Sequence, residues 1–388
     1  MEIKISDAIR YVGAQDYDLD LFESQYIVPN GMAYNSYVIM SDKVAIMDSV
    51  DARKTDEWLE NVERELGGRK PDYLVVQHLE PDHSGSIEQV AEKYPEMKIV
   101  TSTKAFGMFS QFVTKDYSDR LIKVGEGETL ELGSHTLQFF MAPMVHWPEV
   151  MVTYEQTEKI LFSADAFGKF GTLDTDEDWA CEARRYYFNI VGKYGAQAQA
   201  LLKKAANLDI EKICALHGPI LPDKEPLSYY IGKYDVWSKY ESEDDGVFIA
   251  YTSIHGNTGE ACRKLGEILE EKGAKKVVVT DLCREDIAES VEDAFRYDKI
   301  VLASATYDGG LFPTMENFLY RLGHKNFQNK KAALIENGSW APVAARKMRE
   351  KLEEMKNIDI CETSVSIKSK MKMDDIPNLE ALADELLG

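Results

Sequence analysis

The sequence predicts an α/β protein of two domains: a strand-rich first half of packed sheets with helices outside, and a second half built on a doubly wound parallel sheet. Three observations predict this. The 388 residues exceed what one core usually fills. The first half carries many short apolar or alternating runs separated by turns. From Val247 onward strands and amphipathic helices alternate regularly, the pattern of a parallel sheet covered on both faces. The polar, acidic "KYESEDDG" from Lys239 to Gly246 has linker character, which sets the expected domains at 1–245 and 246–388.

The N-terminus, "MEIKISDAIRYVG", lacks the basic start and apolar core of a signal peptide, and no apolar run approaches the length of a membrane helix. A cytoplasmic protein without a membrane partner is expected. Strand signals follow in "AYNSYVIM", "KVAIMDSV", "YLVVQ", "KIVTS", "HTLQFFMAP", "VMVTYE" and "KILFSAD". The second half reads as strand "VFIAY", helix Glu260 to Lys272, strand "KVVVT", helix "REDIAESVEDAFR", strand "KIVLASA" and helix "MENFLYRLG". It closes with strand "KAALIEN", helix "APVAARKMREKLEEMK", strand "DICETSV" and helix "NLEALADELL".

A formal charge of −22, from 45 Lys plus Arg against 67 Asp plus Glu, argues against a nucleic-acid partner, which needs a basic surface. The five cysteines are far apart with no CxxC, so no zinc ribbon or cysteine-ligated cluster is written here. Any metal must be held by His and carboxylates.

Such a set stands in "VVQHLEPDHSGS", Val75 to Ser86, directly after a buried-strand signal. On an extended chain His78, Glu80 and Asp82 share one side, and a tight turn lets His83 join them. Pro81 restrains Glu80 to an extended backbone, and Gly85 lets the chain bend before the next helix. His146 after "LQFFMAPMV", Asp165 at the end of "KILFSAD" and His217 at the end of "KICAL" each sit at a predicted strand tip, where α/β sheets place functional groups. One His–Glu pair would be an ordinary polar loop; this series points to a metal site. Asp48, in "AIMDSV", is expected to hold neighbouring backbone, and His135, in "LGSH", to be a surface histidine.

A second constellation follows "VFIAY". The hydroxyl-rich turn "TSIHGNTGE" opens a helix and offers backbone N–H groups and Ser/Thr donors to a phosphate. No Walker lysine follows, so a monophosphate fits better than a nucleoside triphosphate. Alone, this loop reads equally as a well-capped helix start. Two more loops, "SATYDGG" and "ENGSW", would emerge at the same edge of a parallel sheet.

The first series resembles the metallo-β-lactamase superfamily motif H-x-[HE]-x-D-H with its distant His, Asp and His, and the form "HLEPDH" is similar to the flavodiiron branch. Glu80, where most zinc hydrolases of the superfamily carry His, makes the site harder and more anionic and suits iron. The resemblance covers essentially the whole chain. It implies an αββα sandwich followed by a flavodoxin-like domain. It also implies two non-haem irons per chain: His78, Glu80 and His146 on one, Asp82, His83 and His217 on the other, Asp165 bridging. The three later loops resemble the FMN cradle of flavodoxins. Ser253, His255, Gly256, Asn257 and Thr258 would hold the phosphate. Thr306, Tyr307, Asp308, Gly309 and Gly310 would lie near the ring, with Asn337, Gly338, Ser339 and Trp340 along its other border. The residue at His255 is small or hydroxylated in typical flavodoxins.

The activity so implied is reduction of dioxygen to water or of nitric oxide to nitrous oxide at the ferrous pair, with FMN supplying electrons. Tyr26 and Trp147 would wall the pocket or donate to the bound gas. The implied assembly is a head-to-tail homodimer or a dimer of such dimers. Without CxxC pairs no rubredoxin follows in this sequence, so an external donor, a rubredoxin-like protein or a reduced deazaflavin, is expected. The competing expectations are a zinc hydrolase with a regulatory flavodoxin-like domain, and an electron carrier whose first domain is only a scaffold.

Overall fold

The computed structural model describes residues 3–388, which divide after Asp235 into two compact units. The first unit holds two sheets. One runs Ile9–Tyr11, Tyr37–Met40, Val44–Met47, Tyr73–Val76, Lys98–Ser102, Leu121–Val124 in spatial order. The other runs Thr129–Glu131, Thr136–Met141, Met151–Glu155, Ile160–Phe162, Lys212–Cys214. Alternate side chains of the two meet in one core: Tyr37, Ile39, Ala45, Met47, Val75 and Val100 from the first, Leu137, Phe139, Met151, Phe162 and Cys214 from the second. The opposite face of the first sheet, with Val38, Ile46, Leu74 and Ile99, is equally buried, and helix Thr55–Leu66 covers part of it with Trp58, Val62 and Leu66. Strands buried on both faces explain why these runs are continuously apolar rather than alternating.

The parallel strands Tyr73–Val76, Ile160–Phe162 and Lys212–Cys214 each end just before a predicted ligand, and Val44–Met47 ends just before Asp48. In this way the topology brings residues from four distant parts of the chain to one edge.

The second unit is a parallel sheet in spatial order Val277–Asp281, Asp244–Tyr251, Tyr297–Tyr307, Gln328–Asn337, Lys356–Ile367, which is 2-1-3-4-5 in chain order. Helices Asn257–Glu271 and Ile376–Leu387 bury Cys262, Leu265, Leu269, Leu379, Leu382 and Leu386 on one face. Ile287–Arg296, Pro313–His324 and Ala344–Glu353 form the other layer. The chain reverses direction between the first and third strands, the switch point where open α/β sheets bind ligands.

Candidate metal centre and flavin cradle

The strand predicted to run through His78 stops at Val76. His78 and Glu80 lie in the following loop, and Pro81–Ser84 form one helical turn with Pro81 at its start, so Asp82 and His83 project from a helix rather than an extended chain. Proline suits this place because the first helical N–H needs no partner. Glu80 is extended as expected, at φ −58° and ψ 139°. Gly85 is required for a different reason than the expected bend. It is helical, at φ −61°, and a Cβ there would meet Ala52 N at 2.7 Å and Pro81 O at 2.6 Å.

Around this turn seven ionisable side chains converge in two groups, His78, Glu80, His146 and Asp165, and Asp82, His83 and His217. His78, His83, Asp165 and His217 have no exposed surface. In the first group His146 Nε2 lies 2.9 Å from Glu80 Oε2, and His78 Nε2 lies 3.3 Å from the same oxygen. In the second, Asp82 Oδ2 is 3.2 Å from both His83 Nε2 and His217 Nε2. Asp165 joins the groups. Its Oδ2 is 3.2 Å from Nε2 of His78 and of His146, and its Oδ1 is 3.3 Å from His83 Nε2 and 3.5 Å from His217 Nε2.

The tautomers follow from the outer nitrogens. His78 Nδ1 donates to Glu149 Oε1 at 2.8 Å, and the Leu79 N–H donates to the same oxygen at 3.0 Å. His217 Nδ1 donates to Ala33 O at 2.7 Å. Each contact leaves an Nε2 lone pair facing inward, the usual support of a ligating imidazole. Yet His83 Nε2 and His217 Nε2 face each other at 3.0 Å. Both oxygens of Asp82 and of Asp165, and His146 Nε2, are buried without a hydrogen-bond partner.

Such a set is costly unless cations fill it, because three carboxylates are withdrawn from water together. The ionisation of the side chains shows the same strain. Burial alone disfavours charge on Asp165, but His78, His146 and His83 hold it well below the usual carboxylate range. Burial pushes Asp82 up to about 7. Burial would lower His146, but Asp165 and Glu80 hold it up at about 9. The separations of 2.9 and 3.5 Å are those of groups sharing an ion at about 2.1 Å. The donors, imidazole nitrogens with carboxylates, suit iron or zinc.

Aromatic rings close the pocket. The Trp147 ring packs edge-on against His78, centroids 5.2 Å apart, as expected of a wall. Tyr26 is placed otherwise: its hydroxyl donates to the Asn189 carbonyl at 3.1 Å and is not free for a bound molecule. The rings beside His217 are Phe22 and Tyr186, each at 5.5 Å. Burial, and then Asp165, Asp82 and Glu80, raise the Tyr186 phenol well above its ordinary value. The sequence reading missed Phe22, Tyr186 and Glu149, since nothing in their local sequence sets them apart.

Asp48 does hold backbone: it accepts from Gln77 N at 2.7 Å and Gln77 Nε2 at 2.8 Å, fixing the stretch that leads to His78. His135 is not a surface residue. It is 6% exposed, tied to Ser134 and to Glu158, because it closes a strand turn against the chain after Glu155.

In the second unit a cavity of about 620 Å³ opens at the switch point. Of the expected residues Ser253, His255, Asn257, Thr258, Thr306, Asp308, Gly309, Asn337, Gly338, Ser339 and Trp340 line it, joined by Ile254, Ala305, Ala341 and Ser369. Gly256, Tyr307 and Gly310 do not. Gly256, at φ 87°, is the residue before the helix, and no side chain caps that helix. Its first N–H groups therefore remain available to an anion, and the well-capped alternative falls away. Ser253 Oγ, buried without a partner, points to the same ligand. The predicted loop "SATYDGG" is a hairpin. Tyr307 pairs with Gly310, and Asp308 and Gly309, at φ 46° and 72°, form the two-residue turn that the twist of paired strands favours.

Residues 32–218 match the protein family described as ODP family beta lactamase, and residues 248–363 match the flavodoxin domain. The rubredoxin-oxygen oxidoreductase of Megalodesulfovibrio gigas is 28% identical over 99% of this chain and 96% of its own. The solved structure of rubredoxin oxygen:oxidoreductase from Desulfovibrio gigas superposes with a TM-score of 0.92, covering 100% of this chain and 98% of that one at 28% identity. Its relatives and structural neighbours are flavodiiron proteins. A further flavodiiron relative, the anaerobic nitric oxide reductase flavorubredoxin of Vibrio vulnificus, is 28% identical over 96% of this chain and 76% of its own. Like them, the chain joins a β-lactamase-like domain to a flavodoxin-like one; the flavodoxin domain implies FMN and the likeness to flavodiiron proteins implies a diiron site.

Proposed function

We propose that this chain is a flavodiiron protein that reduces dioxygen to water or nitric oxide to nitrous oxide, drawing electrons through FMN. The observation that carries this reading is Asp165, whose two oxygens each face one pair of inward-pointing histidines. Two irons per chain fit that arrangement, one held by His78, Glu80 and His146, the other by Asp82, His83 and His217, with Asp165 between them. The iron pair would supply gas binding and electron storage.

The protein's own groups do the rest. Glu149 and the Ala33 carbonyl hold His78 and His217 in the tautomer that presents Nε2. Trp147, Phe22 and Tyr186 exclude water around the histidines. The first unit would form the diiron domain and the second the FMN-binding domain. The phosphate of FMN would rest on Ser253, Thr258 and the N–H groups after Gly256. We assign the working form to a head-to-tail homodimer or a dimer of dimers in the cytoplasm. Its electrons would come from a rubredoxin-like protein or a reduced deazaflavin. No helix of the described residues is long and apolar enough to cross a membrane.

Metal and flavin analysis of anaerobically purified protein tests the reading. Iron near two per chain with bound FMN, and gas consumption on reduction, are expected; two zinc ions, no iron and no gas consumption would favour the hydrolase instead. Stopped-flow turnover with each gas under one donor separates the two substrates.

A further inference from the structure

In the sequence "AYNSYVIM" is a strand signal, yet three polar side chains stand side by side in its middle and all are buried: Asn35, Ser36 and Tyr37. Buried polar groups need partners, and these three donate to main-chain oxygens beside the metal centre. Ser36 Oγ donates to Asp48 O at 2.9 Å, and Tyr37 Oη donates to Ala215 O at 2.8 Å. Asn35 does most. Its Nδ2 donates to Ala215 O at 3.0 Å and to Gly218 O at 2.8 Å, and its backbone N–H donates to Leu216 O at 2.8 Å. One residue thus holds the carbonyls of Ala215, Leu216 and Gly218, and the residue they enclose is His217.

This stretch is a turn beyond the strand that ends at Cys214, with Gly218 at φ 79°. Its base is paired, Ile213 with Leu221, but its tip takes its shape from the groups that bind its carbonyls. On one side Leu216 N–H donates to Ala164 O at 2.9 Å, next to Asp165. On the other stands Asn35, two residues after Ala33, whose carbonyl accepts from His217 Nδ1. The Asn35 amide is itself oriented. Tyr11 Oη donates to Asn35 Oδ1 at 3.1 Å, and Gln15 Nε2 donates to Tyr11 Oη at 2.8 Å. Burial raises the Tyr11 phenol well above its ordinary value, so it stays a donor. With Oδ1 accepting from Tyr11, both amide hydrogens are turned to the His217 stretch.

We infer that Asn35 is a positioning residue for the metal held by Asp82, His83 and His217, acting through the turn that carries His217, with Tyr11 fixing its amide. The two metals differ in their support. His78 donates to a carboxylate, Glu149, whereas His217 donates to a neutral carbonyl. A neutral partner adds less basicity to the ring, so the second metal depends more on where the ring is placed. Chemistry singles out asparagine, which offers two donors and one acceptor on one short branch. Aspartate has the same shape but would set an oxygen against the Ala215 and Gly218 oxygens. The inference rests on the two-metal reading above but not on which metal is bound.

The test strips the FMN-loaded full chain of metal and refills it with cobalt(II) under argon, following the cobalt absorption of each site. Asn35→Ala should weaken the second cobalt about 10-fold or more and leave the first within about twofold. Asn35→Asp keeps the size and the Tyr11 contact and should weaken it at least as much. Tyr11→Phe keeps the ring and the amide and should cost about 3-fold. FMN content and circular dichroism should match the parent in all three. Equal weakening of both cobalt ions would overturn the inference, and so would Asn35→Asp binding like the parent, since shape alone would then suffice. If the Asn35 variants do not fold, Tyr11→Phe carries the test, and parent-like binding of its second cobalt overturns the inference. A parent that takes up a single cobalt would sink the two-metal reading and the inference with it. If the variants lose the second cobalt but the native metal is zinc, the positioning role stands and the proposed gas reduction fails.

Discussion

At the metal centre seven ionisable side chains meet in a pocket where four of them have no exposed surface, and the protein tolerates this only with a counter-charge. At the flavin cavity the lining is small and polar, the decisive donors are backbone N–H groups, and Trp340 stands largely in solvent. One site is made of side-chain chemistry fixed by burial, the other of backbone shape fixed by glycines and turns. Single substitutions should therefore cost far more at the first than at the second.

The largest effect is expected at Asp165, which alone touches both histidine pairs. Asp165→Ala should remove the metal and lower gas consumption at least about a hundredfold, since several kcal/mol of charge compensation depend on it. Iron analysis and oxygen-electrode rates check this, and FMN absorbance should persist. Unchanged turnover would support the view that the first domain is only a scaffold. Next comes Glu149→Gln. The amide can still accept from His78 but loses the charge that raises ligand basicity, so metal affinity should fall about 10- to 100-fold in a chelator competition, with the fold intact by circular dichroism.

Glu80→His probes identity rather than strength. Exchanging the carboxylate for an imidazole softens the site and removes one negative charge, so the bound metal should move from iron towards zinc. Elemental analysis after growth with both metals decides it, and an unchanged iron-to-zinc ratio would mean that the rest of the pocket sets the choice.

The contrast also governs how much could be read in advance. His78, Glu80, Asp82, His83, His146, Asp165 and His217 stood out because charged and imidazole side chains at buried strand tips are rare, and the structure brings all seven together. Their supports did not stand out. Glu149 is one acid among 67 Asp plus Glu, and Phe22 and Tyr186 look like core aromatics until the fold sets them against His217. The donor role expected of Tyr26 fails for the same reason: only the fold reveals that its hydroxyl donates to Asn189 O. In the cradle the sequence marked the loops but not their shapes. "YDGG" carries the Asp-Gly signal of a tight hairpin, but the apolar run before it stops at Ala305 whereas the strand continues to Tyr307. Ser369 lines the cavity unannounced by its local sequence, because a clamp to Asn337, 32 residues away, is what holds it there.

The smallest effect is expected at Ser253. Its Oγ is buried and unpartnered, so it is placed to donate to a phosphate. Its removal leaves the uncapped helix N–H groups that do most of the binding. Ser253→Ala should weaken FMN about 3- to 10-fold, the worth of one hydrogen bond to a charged group in a partly solvated place. Gly256→Ala offers the sharper comparison. Nothing lies within 4 Å of a Cβ there, so space is not the obstacle, but at φ 87° any side chain strains the turn that aims the N–H groups. If backbone shape is what holds the flavin, Gly256→Ala must weaken FMN more than Ser253→Ala does in fluorescence titrations. The reverse order would mean that side-chain donors carry the cradle, and the contrast between the two sites would collapse.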